Sequence, residues 1–156
     1  MMYLGLDCST LAVHAAVVND KEELVSLHKW GSKQKNFELR FPEILVGFSE
    51  ELSKINLIDF AAIEAAIFIQ NPKTTIAIAN VVGAVWGFLL SAGIPTAIID
   101  NRQWKKFILL KGNASKDEIK QFAIEKWGEV FPEQDYADAA CIALWNKRRF
   151  DNGRRT

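Results

Sequence analysis

Tyr3-Leu4-Gly5-Leu6-Asp7-Cys8-Ser9-Thr10 reads as a buried first strand, Tyr3 to Cys8, that carries a carboxylate near its end and breaks at a Ser-Thr turn. A second strand follows from Ala12 to Val18, Asn19-Asp20-Lys21 makes a hairpin turn, and Glu23 to Trp30 supplies a third strand. The period then changes. Phe37, Phe41, Ile44, Leu45, Phe48 and Leu52 share one side of a helix running from about Asn36 to Lys54. Beyond it, strand and helix alternate. Phe60 to Phe68 is expected as a strand whose alanines weaken the pattern but whose flanking helices suit a parallel, central position. A helix starts at Thr74 or Thr75 and reaches Ser91, with Ala79, Gly83 and Gly87 at i,i+4 spacing. Gly93-Ile94-Pro95 ends it and leads into a short strand, Thr96 to Ile99. Arg102 to Leu110 forms the next helix, ended by Gly112, and Ser115 with Glu118 makes a capping box for a helix through Trp127. Pro132 precedes a final helix, roughly Asp135 to Arg149. Three consecutive strands followed by this alternation predict an α/β fold.

Within this pattern, four acids occupy apolar settings. Asp7 ends the first strand, Glu64 lies inside Ala61-Ala62-Ile63-Glu64-Ala65-Ala66-Ile67, and Asp135-Tyr136-Ala137-Asp138 opens the last helix with two acids on one face. Each has a local explanation: an N-cap for Asp135, a paired strand residue for Glu64, a turn hydrogen bond for Asp7. Those explanations do not account for all four at corresponding ends of one sheet. Clustered carboxylates resist accumulating charge until a cation neutralises it, and Mg²⁺ or Mn²⁺ favours carboxylate and water oxygens. Two such ions roughly 4 Å apart activate water and stabilise the oxygen leaving phosphorus.

At 156 residues and 49% hydrophobic content the chain fits one domain with a full core. It reads as soluble and intracellular, without a signal segment and with its apolar runs interrupted before membrane-span length. Cys8 and Cys141 sit in apolar stretches outside any zinc pattern, which leaves them as packing residues. His14 and His28, in the early strands, likewise lack metal-ligand spacing. Lys plus Arg equals Asp plus Glu at 19 each, so overall charge weakens a polyanionic partner. The distribution restores it: residues 1–100 carry a balance of −4, residues 101–140 are neutral, and residues 141–156 carry +4.

Together, Gly5-Leu6-Asp7, Ala62-Ile63-Glu64, the Lys105 to Lys116 region with Gly112 and Ala114, and Asp135-Tyr136-Ala137-Asp138-Ala139-Ala140 resemble the RuvC-like Holliday junction resolvases of the ribonuclease H-like superfamily. The pieces occur in family order over nearly the whole chain, and the compact length looks most like a phage-encoded member. The resemblance implies a ribonuclease H-like fold, a mixed five-stranded sheet flanked by helices. It implies that Asp7, Glu64, Asp135 and Asp138 bind one or two Mg²⁺ or Mn²⁺ ions for phosphodiester hydrolysis, leaving 5′-phosphate and 3′-hydroxyl ends. It also implies a homodimer that nicks two symmetry-related strands of a four-way or other branched DNA. Two departures stand out: Cys8 follows the first acid where the family often has Pro or a small residue, and Ile67 replaces an aromatic associated with stacking at the junction centre, although Phe68 is next.

Lys105 and Lys116 match the family's basic positions, with Lys116 near a scissile phosphate and also assisting catalysis; Lys106, Lys111 and Lys120 extend the same DNA-binding surface. Residues 1–150 form the nuclease domain and residues 151–156 a basic tail that either adds electrostatic affinity or frays. Trp30, Trp104, Trp127 and Trp145 read as core or interface residues, while Trp86 beside Gly83 and Gly87 suits a dimer contact. A phage-encoded resolvase places the protein in the host cytoplasm, with no membrane partner. Two other readings remain: a noncatalytic junction-binding protein, and a phosphotransferase of the actin-like sugar-kinase type, whose phosphate loop Gly5-Leu6-Asp7-Cys8-Ser9-Thr10 resembles but whose two lobes this length does not supply.

Overall fold

The computed structural model describes residues 1–55, 57–66, 71–128 and 131–154. Three strands come first, β1 (Met2–Cys8), β2 (Ala12–Asn19) and β3 (Leu24–Gly31), then α1 (Phe37–Leu52), β4 (Phe60–Glu64), α2 (Pro72–Ser91), β5 (Thr96–Ile99), α3 (Asn101–Leu109), α4 (Lys116–Trp127) and α5 (Gln134–Arg154). The strands lie in the order β3-β2-β1-β4-β5. β2 runs antiparallel to both its neighbours, whereas β1, β4 and β5 are mutually parallel. The sheet is therefore mixed, five-stranded and flanked by helices, as the resemblance implied.

Strand alternation divides the core in two. Leu4, Leu6 and Cys8 face the side covered by α1 and α2, where they join Ile44, Phe48, Val81, Val85 and Leu89. The opposite face, with Ala16 and Ala62, is covered by α3, α4 and α5 through Trp104, Ile108, Ile119, Ala140 and Leu144. Gly5 and Asp7 point to this second side. A Cβ on Gly5 would fall inside the backbone of Ala139 and Ala143. Glycine is thus required for α5 to lie as close to β1 as it does. The α5 residues Ala137, Ala139, Ala140 and Ala143 are fully buried, so small side chains complete the close contact.

A second tether fixes α5 along its length. Glu22, in the β2–β3 turn with φ 63°, accepts hydrogen bonds at 2.8 Å from both Nε and Nη2 of Arg148 and at 2.5 Å from Lys126 Nζ. The Arg148 hydrogen bonds, followed by that from Lys126, hold its carboxyl down at about 2.

Several boundaries differ from those read in the sequence. α2 starts at Pro72 because Asn71 caps it, accepting from Lys73 N at 3.0 Å. β4 ends at Glu64, and Ile67 and Phe68 lie outside the described residues. α3 is terminated by Leu110 in the left-handed conformation, φ 60°, not by Gly112. α5 continues to Arg154, and within it Lys147 Nζ reaches Asp151 Oδ2 at 2.7 Å. The Ser115–Glu118 capping box is present as expected. α2 also corrects the reading that no apolar run reaches membrane-span length: by length and composition it is long enough to cross one. Its Val81, Val82, Val85 and Leu89 are nevertheless buried, while Ile76, Trp86 and Leu90 are exposed.

Candidate active site

Asp7 lies one residue from the end of β1, Glu64 is the last residue of β4, and Asp135 and Asp138 occupy the first turns of α5. Leu6 pairs with Ile63 in the parallel register, so the next positions, Asp7 and Glu64, stand side by side at the carboxyl ends of adjacent strands. That is where open α/β sheets place ligands. The close packing at Gly5 carries the start of α5 to the same edge. One ligand atom from each of Asp7, Asp135 and Asp138 lies within 4.8 Å of the others. Three half-buried carboxylate groups suit a hard divalent cation, and the donor set includes no soft ligand.

Glu64 is adjacent to this trio but turned aside. Its Oε1 accepts from Asn101 Nδ2 at 2.9 Å, and its Oε2 accepts from the indole Nε1 of Trp104 at 2.6 Å. Trp104 is both a fully buried core ring and the positioner of a site carboxylate. The sequence suggested only the first of these roles. Asn101 opens α3 immediately after β5, so the strand that neighbours β4 delivers both donors.

Electrostatics bind the four acids into one unit. Burial, followed by repulsion from Glu64, Asp138 and Asp135, pushes the Asp7 carboxyl well above the ordinary range, and Lys116 opposes that rise. Burial likewise lifts Asp138 to about 6, against a hydrogen bond donated by Gln134 Nε2 at 3.3 Å and the charge of Lys105. In the protein without a cation, this edge of the sheet favours holding protons. A divalent ion bound there would replace them. The Cys8 and Cys141 thiols are also pushed up, chiefly by burial, which keeps both protonated and fits their packing roles.

Behind the trio sits a residue that the strand pattern did not single out. His14 is directly opposite Asp7 in the β1–β2 register and only 3% exposed. Its Nε2 is 3.1 Å from Glu133 Oε2 and its Nδ1 is 3.6 Å from Asp135 Oδ2. Lys29 Nζ approaches the other Glu133 oxygen at 2.6 Å. The network ties β2 and β3 to the start of α5, on the side away from Glu64.

The five lysines expected to face DNA fall into two groups. Lys116, the first residue of α4, acts electrostatically on Asp7, and Lys105 acts on Asp138; Lys105 Nζ also stands 5.5 Å from the Trp104 ring centre. Lys106 on α3, Lys120 on α4 and Lys111 in the turn between them are exposed, with Lys111 paired to Glu118 at 2.5 Å.

A family model described as Lactococcus phage M3 protein matches residues 6–147, which include all four acids and run from the end of β1 through most of α5. The chain belongs to the Lactococcus phage M3 protein family. This member of the family is also similar to the crossover junction endodeoxyribonuclease RuvC of Neisseria meningitidis serogroup C, with 28% identity over 90 residues; the match takes in 57% of this chain and 51% of the relative, about half its length. Among solved structures, T. thermophilus RuvC in complex with a Holliday junction substrate superposes with a TM-score of 0.83 at 22% identity, covering 98% of this chain and 96% of that one. The yeast mitochondrial Holliday junction resolvase superposes with a TM-score of 0.59 at 13% identity, over 97% and 82% of the two chains. The M3 family chain therefore has the RuvC fold over its whole described length.

Proposed function

We propose that the protein is a divalent-cation-dependent endonuclease that resolves four-way DNA junctions, and other branched DNA, by paired phosphodiester hydrolysis. The observation that carries this reading is the convergence of Asp7, Asp135 and Asp138 within 4.8 Å, beside Glu64, on a sheet with the RuvC fold. Asp7, Asp135 and Asp138 hold the cation, with Glu64 available as a further oxygen ligand while Asn101 and Trp104 fix its orientation. Mg²⁺ or Mn²⁺ held by these carboxylates would supply water activation and neutralise charge on the phosphate. Lys116, at the amino end of α4, binds a nonbridging oxygen of the scissile phosphate, and Lys105 holds a neighbouring one. Lys106, Lys111 and Lys120 add nonspecific affinity for the backbone. The products carry 5′-phosphate and 3′-hydroxyl ends.

Paired cuts require two sites, and the protein acts as a homodimer. The exposed side of α2, with Ile76, Trp86 and Leu90 around Gly83 and Gly87, whose added Cβ atoms would meet nothing within 4 Å, is the surface two copies share. Work in the cytoplasm of a phage-infected host is part of this reading, and the phage protein family to which the chain belongs is in keeping with it. The deciding experiment compares cleavage of four-way, three-way, flap and linear DNA in Mg²⁺ and Mn²⁺, for the wild type and Asp7→Asn. Paired nicks in the four-way junction, abolished by the substitution, are expected. Cleavage that survives Asp7→Asn would remove the assigned cation role, and tight junction binding without nicking in either metal would leave a binding protein only.

A further inference from the structure

Leu110 combines two unfavourable features in one residue. Its backbone is left-handed, φ 60° and ψ 13°, a conformation that favours glycine or asparagine over a branched side chain. Its side chain is also 88% exposed, so none of that strain is recovered by burial. Phe107, three residues earlier in the last turn of α3, is 39% exposed.

The support beneath this apolar tip is firm. Trp104 and Ile108 of α3 are buried, Ala114 is 5% exposed within the core, and Ala114 N donates to Lys111 O at 3.2 Å. A Cβ on Gly112 would come within 3.3 Å of Arg102 O, so the turn lies close against α3. The capping box at Ser115 completes the connection into α4. Leu110 is therefore presented by a fixed turn.

Its position and surroundings indicate what it meets. α3 supplies the two donors to Glu64, and Lys105 and Lys116 act on the site acids. Leu110 and Phe107 lie between these points in the chain, among Lys105, Lys106, Lys111 and Lys116. Amines suit a polyanion, yet an apolar tip gains nothing from phosphates or from the polar grooves of an intact duplex. A base whose stacking partner has been removed presents an apolar face within a polyanion, and apolar side chains are the ones that wedge against such steps. Unstacked bases are concentrated where strands exchange.

We propose that Leu110, supported by Phe107, is a wedge that packs on an unstacked base at the branch point and selects branched over linear DNA. The inference rests on the proposed junction activity and adds the contact that recognises the branch. Its test uses a four-way junction carrying 2-aminopurine at the branch point and a linear duplex of matching sequence, in chelator so that no strand is cut. Leu110→Gly suits the left-handed backbone and so keeps or raises the melting temperature, while Leu110→Met keeps the apolar bulk. Wild type and Leu110→Met are expected to bind the junction more tightly than the duplex and to raise the 2-aminopurine fluorescence. Leu110→Gly is expected to lose about tenfold in junction affinity and most of that fluorescence rise, with duplex affinity unchanged. A folded Leu110→Gly protein that retains both signals overturns the wedge. A wild type with no preference for the junction overturns the underlying activity instead.

Discussion

Replacing Asp138 by Asn removes a charge that the cation-free fold is penalised for carrying. Burial raises that carboxyl from its ordinary 3.8 to about 6, a rise equivalent to about 3 kcal/mol. Because the folded pKa lies above the unfolded one, the folded state binds the extra proton across this interval, and stability falls as pH rises through it. The penalty is absent below about pH 4, grows between the two values and is complete above about pH 6. Asn keeps an Oδ1 to accept from Gln134 and relieves the repulsion that Asp138 exerts on Asp7. In chelator at pH 7.5, Asp138→Asn is expected to be more stable than wild type by about 2 to 3 kcal/mol, a rise in Tm of about 5 to 10 °C for a chain of this size. Melting followed by circular dichroism at half-unit steps from pH 4 to 8 reads the effect directly. The two curves should converge near pH 4 and separate toward neutrality. Millimolar Mg²⁺ should narrow the gap by stabilising the wild type alone, while junction cleavage by the variant falls by orders of magnitude. A variant that melts at or below wild type at pH 7.5 in chelator, or a difference independent of pH, refutes the account of a charge-strained cation site.

Two further outcomes follow from the packing around the acids. Trp104→Phe keeps the buried ring but removes the hydrogen bond to Glu64; the cation concentration for half-maximal cleavage should rise about 10- to 100-fold with little loss of melting cooperativity, and an unchanged cation requirement would contradict the positioning role. Gly5→Ala places a Cβ inside the backbone of α5; a loss of about 4 kcal/mol or more is expected in chemical denaturation, and wild-type stability would show that α5 does not lie where described.

The elements legible in the sequence were those with a local signature. β1 to β3 announce themselves by apolar runs and turns, and α4 by its Ser115–Glu118 box. Asp7, Asp135 and Asp138 were legible because a carboxylate is conspicuous among alanines and leucines. What remained hidden depends on partners far along the chain. No local pattern shows that Gly5 faces Ala139 and Ala143, that the Trp104 indole ends on Glu64, or that His14 stands opposite Asp7 beside Asp135. The end of α3 is legible to within a residue but its terminator is not: Gly112 is the obvious candidate, and Leu110 takes the left-handed position against its own preference. At the start of α2, Asn71-Pro72 is the cap, and the threonines that follow offer a competing signal of the same kind.

The contact between Gly5 and the Ala139–Ala143 stretch joins the first strand to the last helix. During synthesis, Asp7 is made before Asp135 and Asp138, which follow every other described element in the chain. A truncated or half-made chain therefore lacks the carboxylates that complete the cation site. On the proposed reading, the order of translation acts as a safety catch, keeping the cutting site incomplete until α5 has been made and has docked on the sheet.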